Sequence, residues 1–283
     1  MPTIIRRLIV ALIMLAATAL VCIVLERFAR LRFRKSRLLR DYLTTDIVYL
    51  ASGITVGIVL TSIYKVPTTQ WIESHISIPR VTSIELPFWI SVIFVAALID
   101  FANFLAHYLM HRFDVLWEFH KVHHSALIVD WLTTYRSHIA ENVFRNVFGP
   151  IFVILIGFPL DAAALGTGFY IAFAVFNHSN TKLNLRLFEP IFITPRIHRM
   201  HHNPNEISRK NLGTIFTFWD RLFGSLELAD VDCSVSGVPD EVHTYPQSWL
   251  PQFFEPFLRI WKSRRKLPKG ESSEASGSDT LPS

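Results

Sequence analysis

Residues 8–25 carry no charged side chain, and neither do residues 47–63. At about 1.5 Å of rise per helical residue, each run can cross a hydrocarbon core of about 30 Å once its flanks are included. A third stretch, Leu86 to Met110, is long enough to cross and still carry His107 and His111 out at its far end. Two shorter apolar stretches follow, Val143 to Phe158 and Ala162 to Phe176, parted by Gly157, Pro159 and Asp161. Those breakers predict a helical hairpin that enters the bilayer and returns. The composition agrees: 51% of the residues are hydrophobic and only 18% charged, an apolar balance for a chain of 283 residues.

Charge sets the expected orientation. Arg6 and Arg7 precede the first run, whereas Arg27, Arg30, Arg32, Arg34, Lys35, Arg37 and Arg40 follow it, so the positive-inside rule puts this loop in the cytosol. Counting crossings then places residues 107–138 and 178–202 on the cytosolic face. The net charge of +5 is carried by that loop and by the C-terminus and calls for no nucleic-acid partner. The first run reads as an anchor, because Glu26 and a basic cluster follow it without a small-residue cleavage pattern. Cys22 and Cys233 offer no disulfide framework and are expected to be reduced. From about Lys262 the chain turns basic and then rich in Ser, Gly, Glu and Pro, too polar to bury a core.

Eight of the twelve histidines fall in three tight clusters: His107 with His111, His120 with His123 and His124, and His198 with His201 and His202. At this histidine content an H-x-x-H-H pattern arises by chance about 0.02 times per chain, and here it occurs twice. Residues at i, i+3 and i+4 share a helix face, so each cluster is expected to aim its imidazoles at one point. Neutral imidazoles gathered in this way bind metal, and eight of them supply two divalent ions with three or four nitrogens apiece. His138 and His178 stand at the two ends of the hairpin on the same side, which makes each a candidate ligand or orienting group. His75 falls in the outward loop and is excluded, and His243 reads as a surface histidine. Asp100 and Asn103, two turns and one turn before His107, should face the bundle interior; Asp100 either orients a histidine or pairs with another buried group. Glu118 and Asp114 are alternatives for the orienting role. Tyr135, Tyr170, Phe169, Phe173 and Phe176 read as packing, and Trp219–Asp220–Arg221 before Gly224 as a helix terminus with a local ion pair.

The stretches DFANFLAHYLMHR (100–112), LWEFHKVHHSA (116–126), WLTTYRSHIAEN (131–142), NHSN (177–180), TPRIHRMHH (194–202) and NLGTIFTFWDRLFGS (211–225) resemble the fatty acid hydroxylase and sterol desaturase superfamily of integral membrane non-haem di-iron proteins. The resemblance covers about residues 90–225. It implies that the eight clustered histidines are metal ligands, raises His138 and His178 as further ones, and implies iron as the working metal, which coordination alone does not select. It implies two Fe ions, O2 as co-substrate, and no catalytic residue beyond the ligands. The expected activity is hydroxylation or desaturation of a lipid C–H bond, for instance in a sterol or fatty acyl chain. Electrons would come from an external partner, cytochrome b5-like or ferredoxin-like. The membrane would be the cell membrane of a bacterium or the endoplasmic reticulum of a eukaryote. Departures include Tyr108 where the family often has Arg, Asn103 and Phe104 where Tyr is frequent, Ile139 where Pro is common, and Arg209 with Lys210 where an acidic residue is usual. Two other classes suit a histidine-rich membrane chain: a metal transporter or store, and a zinc-dependent lipid hydrolase.

The expected fold is all-α, a polytopic membrane helical bundle with a cytosolic helical cap carrying the dimetal site. Residues 1–85 hold the N-terminal spans and basic loop, 86–230 the catalytic domain, 231–261 a C-terminal cytosolic segment, and 262–283 a disordered tail.

Overall fold

The computed structural model describes residues 3–28, 30–36, 39–75, 86–149 and 151–266. Most of the tail expected from Lys262 onward lies outside the described residues. The described residues are helical, with two isolated β-bridges, Arg32 to Thr181 and Phe192 to Phe216. The helices are α1 (Thr3–Arg27), α2 (Leu43–Leu60), α3 (Val66–His75), α4 (Phe88–Arg112), α5 (Asp114–His124), α6 (Ile139–Phe148), α7 (Ile151–Ile156), α8 (Leu160–Asn177), α9 (Pro195–His201), α10 (Phe218–Phe223) and α11 (Trp249–Lys266).

Among the described residues, three helical stretches are long and apolar enough to cross a membrane: Leu43–Ile72, Phe88–Arg112 and Ile139–Ile156. The first runs through α2 and into α3 by way of a π turn, Thr61–Lys65. There Tyr64 and Lys65 reach across to α6, bonding Val147 O at 3.4 Å and Asn146 Oδ1 at 3.1 Å. In its most apolar window α4 is 39% buried, against 6% for α2, so α4 is the axial helix and α2 the peripheral one. The expected hairpin forms from α6–α7 and α8, turning at Gly157 with φ +76° and restarting after Pro159.

Helix α8 packs between α4 and α1. A side chain at Gly166 would lie 2.7 Å from Val95 Cγ1 and 2.9 Å from Val92 O, so the α4–α8 contact needs a residue without Cβ there. The loop from Phe28 to Tyr42 does not simply hang in solvent. Phe33 N donates to Asn180 O, Arg34 Nη1 to Leu127 O, and Arg40 pairs with both Asp46 and Asp130. Glu26, at the end of α1, accepts from the backbone of Trp131 and Asn180. The basic loop therefore lies on the same side of the bundle as residues 124–138 and 178–181.

Two loops complete this layer. Asp100, fully buried on α4, accepts from the backbone N–H of Thr214, Ile215 and Phe216 and from Trp219 Nε1. Asp220, also buried, accepts from the backbone N–H of Leu212 and Gly213 and from Ser225 Oγ. The ion pair expected between Asp220 and Arg221 is absent among the described contacts: Arg221 donates to Pro190 O, while Gly224 caps α10 at φ +72° as anticipated.

Candidate metal centre

Nine histidines converge in two adjoining groups. His107 and His111 from α4, His120 and His124 from α5 and His201 from α9 form one; His123 from α5, His178 at the end of α8, and His198 with His202 from α9 and its C-cap form the other. Within each group one nitrogen per residue lies within 4.8 Å of all the others. All nine are buried apart from His111, which is half-buried.

The sorting differs from the expectation that each cluster aims at one point. Each H-x-x-H-H motif is split: the i, i+4 pair of α5 joins the five-histidine group while His123 joins the other, and α9 does the reverse. Helical geometry is the reason. Residues four apart differ by about 40° around the axis, whereas the i+3 residue lies about 60° to the other side of the first and about 100° from the last. Two helices laid side by side with complementary splits make two sites, and α4 adds its i, i+4 pair to one of them.

Hydrogen bonds fix the rings. His107 Nδ1 meets Leu212 O at 2.8 Å, His123 Nδ1 meets Arg136 O at 3.2 Å, His178 Nδ1 meets Ala174 O at 2.8 Å, and His201 Nδ1 meets Lys210 O at 2.9 Å. His120 Nδ1 meets the Glu141 carboxylate at 3.0 Å. Each of these partners only accepts, so Nδ1 must carry the proton and Nε2 is left with a bare lone pair. Those lone pairs face one another: His123 Nε2 and His178 Nε2 are 3.2 Å apart, and His120 Nε2 and His201 Nε2 are buried without a hydrogen-bond partner. Two facing lone pairs repel unless a cation lies between them, and about 3 Å is the spacing of adjacent nitrogens each about 2.1 Å from one ion. The donor set therefore fits divalent metal in both groups.

Electrostatics points the same way. Burial holds His178 down to about 4, and burial with the neighbouring His120 holds His201 down to about 3. His123, His124, His198 and His202 are pushed well below the ordinary imidazole range by burial and then by one another. Such rings stay neutral at physiological pH and keep their lone pairs available.

His138 and Asp100 stand outside both groups. His138 Nδ1 accepts from Ala140 N and caps α6, while its Nε2 donates to Phe253 O at 3.0 Å, so both nitrogens are occupied by protein. Asp100 touches no imidazole; it pins the 214–216 backbone, next to the Leu212 carbonyl that orients His107. Of the other carboxylates considered, Glu118 pairs with Lys121 and Asp114 is exposed in the first turn of α5. The carboxylate that does meet a histidine is Glu141, which the sequence reading passed over. Its Oε1 is shared between His120 and Arg145 Nε at 2.9 Å. One signal pointed to it: an arginine four residues later, the spacing of a helical ion pair. His75 stacks on Trp71 at the end of α3, and His243 is exposed.

Residues 92–225 match the family model described as fatty acid hydroxylase. The chain is 30% identical over 186 residues to ornithine lipid hydroxylase OlsE of Rhizobium tropici, covering 65% of this chain and 54% of that protein. It is 26% identical over 164 residues to alkylglycerol monooxygenase of Homo sapiens, covering 58% and 36%. It is 25% identical over 172 residues to very-long-chain aldehyde decarbonylase GL1-10 of Oryza sativa subsp. japonica, covering 56% and 53%. The chain thus spans about half the length, or less, of these curated relatives. No solved structure matches it. The matched segment, residues 92–225, contains all nine converging histidines, so the likeness to the fatty acid hydroxylase family falls on the histidine centre itself.

Proposed function

We propose that this chain is a membrane-embedded, O2-dependent lipid hydroxylase with two iron ions, one in each histidine group. The observation that carries the reading is the pair of buried, all-imidazole groups with lone pairs converging at ligand spacing. Iron, when bound, supplies the O2 chemistry that attacks an unactivated C–H bond, which no side chain can perform. His107, His111, His120, His124 and His201 would hold one ion, and His123, His178, His198 and His202 the other. His138 is assigned to capping α6 and not to the metal.

The chain's residues perform three tasks. The carbonyls of Leu212, Arg136, Ala174 and Lys210, with Glu141, lock five rings in the ligating tautomer. Burial shields the four-histidine group fully and the five-histidine group everywhere but at His111, and keeps protons off the imidazoles. The apolar helices bring the centre to the edge of the bilayer, where a lipid chain can enter sideways. Names of the relatives, a lipid hydroxylase and an alkylglycerol monooxygenase, support a lipid substrate with a long alkyl or acyl chain, and the fatty acyl class fits better than a sterol. Electrons come from an external donor of the cytochrome b5 or ferredoxin kind. The basic loop packs on the histidine side of the bundle, which supports a cytosolic centre.

Metal analysis of detergent-purified protein grown with ⁵⁷Fe, read by Mössbauer spectroscopy, tests the proposal. About two coupled irons per chain is the expected result. Stoichiometric zinc, with lipid turnover that proceeds without O2, would overturn it in favour of hydrolysis.

A further inference from the structure

The C-terminal helix α11 presents an apolar face that the fold leaves uncovered. Leu250, Phe254, Phe257, Leu258 and Trp261 recur at helical spacing and are each 48–51% exposed. The opposite face is committed to protein. Gln252, fully buried, donates to Ser125 Oγ at 2.9 Å and to Pro246 O, while Arg259 pairs with Glu241 and Glu255. Phe253 O accepts from His138.

Three observations identify what covers the exposed face. First, α11 packs on α5, which carries the histidine layer, and on α2, a candidate span whose Ile47 is itself 50% exposed. The apolar face of α11 thus continues the lipid-facing surface of a spanning helix at the level of the histidines. Second, Lys262, Arg264 and Arg265 follow the apolar positions, and no acidic residue occurs between Pro256 and Lys266. By helical rotation Arg265 continues the apolar stripe itself, one turn beyond Trp261, and Arg264 falls at its edge. Third, the Arg265 guanidinium lies 3.6 Å from the centroid of the Trp261 ring, a pairing of aromatic body and cationic head suited to a headgroup boundary.

We infer that α11 lies in the plane of the membrane as an interfacial anchor, its apolar stripe sunk among the acyl chains and its basic end seated on anionic lipid headgroups. This rests on the reading of the chain as membrane-embedded. The occupant is anionic lipid of the same bilayer, because a basic end beside the lipid-facing surface of α2 matches a charged leaflet. The seat also bears on the metal centre: Gln252 holds Ser125, the residue after His124, and Phe253 holds His138 at the start of α6.

The full chain is reconstituted in nanodiscs of phosphatidylcholine with or without about 30% phosphatidylglycerol, a fraction typical of a charged leaflet. Single cysteines at Phe254→Cys, Leu258→Cys and Ser263→Cys carry an environment-sensitive fluorophore, and Cys22 and Cys233, both buried, serve as the unlabelled background. Quenching by shallow spin-labelled lipid should be several-fold stronger at 254 and 258 than at 263, and should increase with phosphatidylglycerol. Arg264→Gln with Arg265→Gln should remove that increase and leave the quenching in phosphatidylcholine. Labels that are quenched equally by aqueous iodide at all three positions would overturn the inference. So would labels shielded from both quenchers, which would mean a protein partner, or quenching indifferent to lipid charge. A chain that fails to enter nanodiscs at all would instead refute the membrane reading on which the inference stands.

Discussion

The two histidine groups share α5 and α9, but α4 completes one and α8 the other, and they are held in different ways. In the five-histidine group a side chain, Glu141, orients His120 and is itself braced by Arg145, and His111 remains half-exposed. In the four-histidine group every ring is buried, and the acceptors that orient His123 and His178 are main-chain carbonyls, Arg136 O and Ala174 O. One group is therefore tunable by substitution at His120, although carbonyls of Leu212 and Lys210 hold its His107 and His201, and it is partly open at His111. The other is set by the backbone and changes only if the fold changes. Its carbonyl at Arg136 is positioned by a buried network in which Arg136 and Arg40 share Asp46, so the loop after α1 reaches the centre through a charge pair. A buried ion pair of this kind is weak evidence for net stability, but it makes removal of either partner costly.

This contrast can be broken most severely by removing a ligand. His202→Ala is expected to empty the four-histidine group, with loss of about one metal ion per chain and of turnover by at least about 100-fold, measured by metal analysis and lipid oxidation. A folded variant with full metal content would refute the assignment. Asp100→Leu should come next. It strands three backbone N–H groups and the Trp219 indole, and should cost about 3 kcal/mol or more, read from thermal unfolding in detergent. Glu141→Gln sharpens the comparison, because it should weaken metal at the five-histidine group by about 10- to 100-fold and leave the other group's occupancy intact, as site-resolved metal titration would reveal.

Acidification acts on both groups in the metal-free protein. His178 and His201 fold with values of about 4 and about 3, below the unfolded value of about 6.5. The unfolded chain therefore binds more protons as pH falls. Stability should be flat above about pH 7 and decline below 6.5 by about 1.4 kcal/mol per pH unit for each such histidine, until its folded value is reached. Denaturation midpoints between pH 8 and pH 5 check the sign; a midpoint that rises on acidification would contradict it. The smallest effect expected is that of His138→Ala, which removes a helix cap at about 1 kcal/mol and leaves metal content unchanged.

What could be read from the sequence was local, and what could not was relational. Uncharged runs and breakers located the helices and the turn at Gly157, because length and composition decide those without reference to the rest of the chain. Helical spacing drew attention to the clustered histidines. It did not disclose that His123 and His201 part company with their sequence neighbours, since that depends on how α5 and α9 lie against each other. His138 looked like a ligand because it stands near the hairpin, yet α11, more than 100 residues later, supplies the carbonyl that occupies it. Asp100 was legible as a buried group, but its partners are backbone amides of a loop over 110 residues away. Glu141 was the missed opportunity: a carboxylate four residues before an arginine marks a paired position on a helix, and here it meets His120 and Arg145.

Both histidine groups take ligands from α9, His201 for one and His198 with His202 for the other. During synthesis, neither group is complete until that late helix has left the ribosome and docked. Six of the nine histidines, four of them in the five-histidine group, precede it in the chain, so each group waits on α9 to be complete. If the groups hold metal as proposed, its full coordination is the closing act of assembly, and a chain stalled before residue 198 would be a helical bundle unable to complete either group.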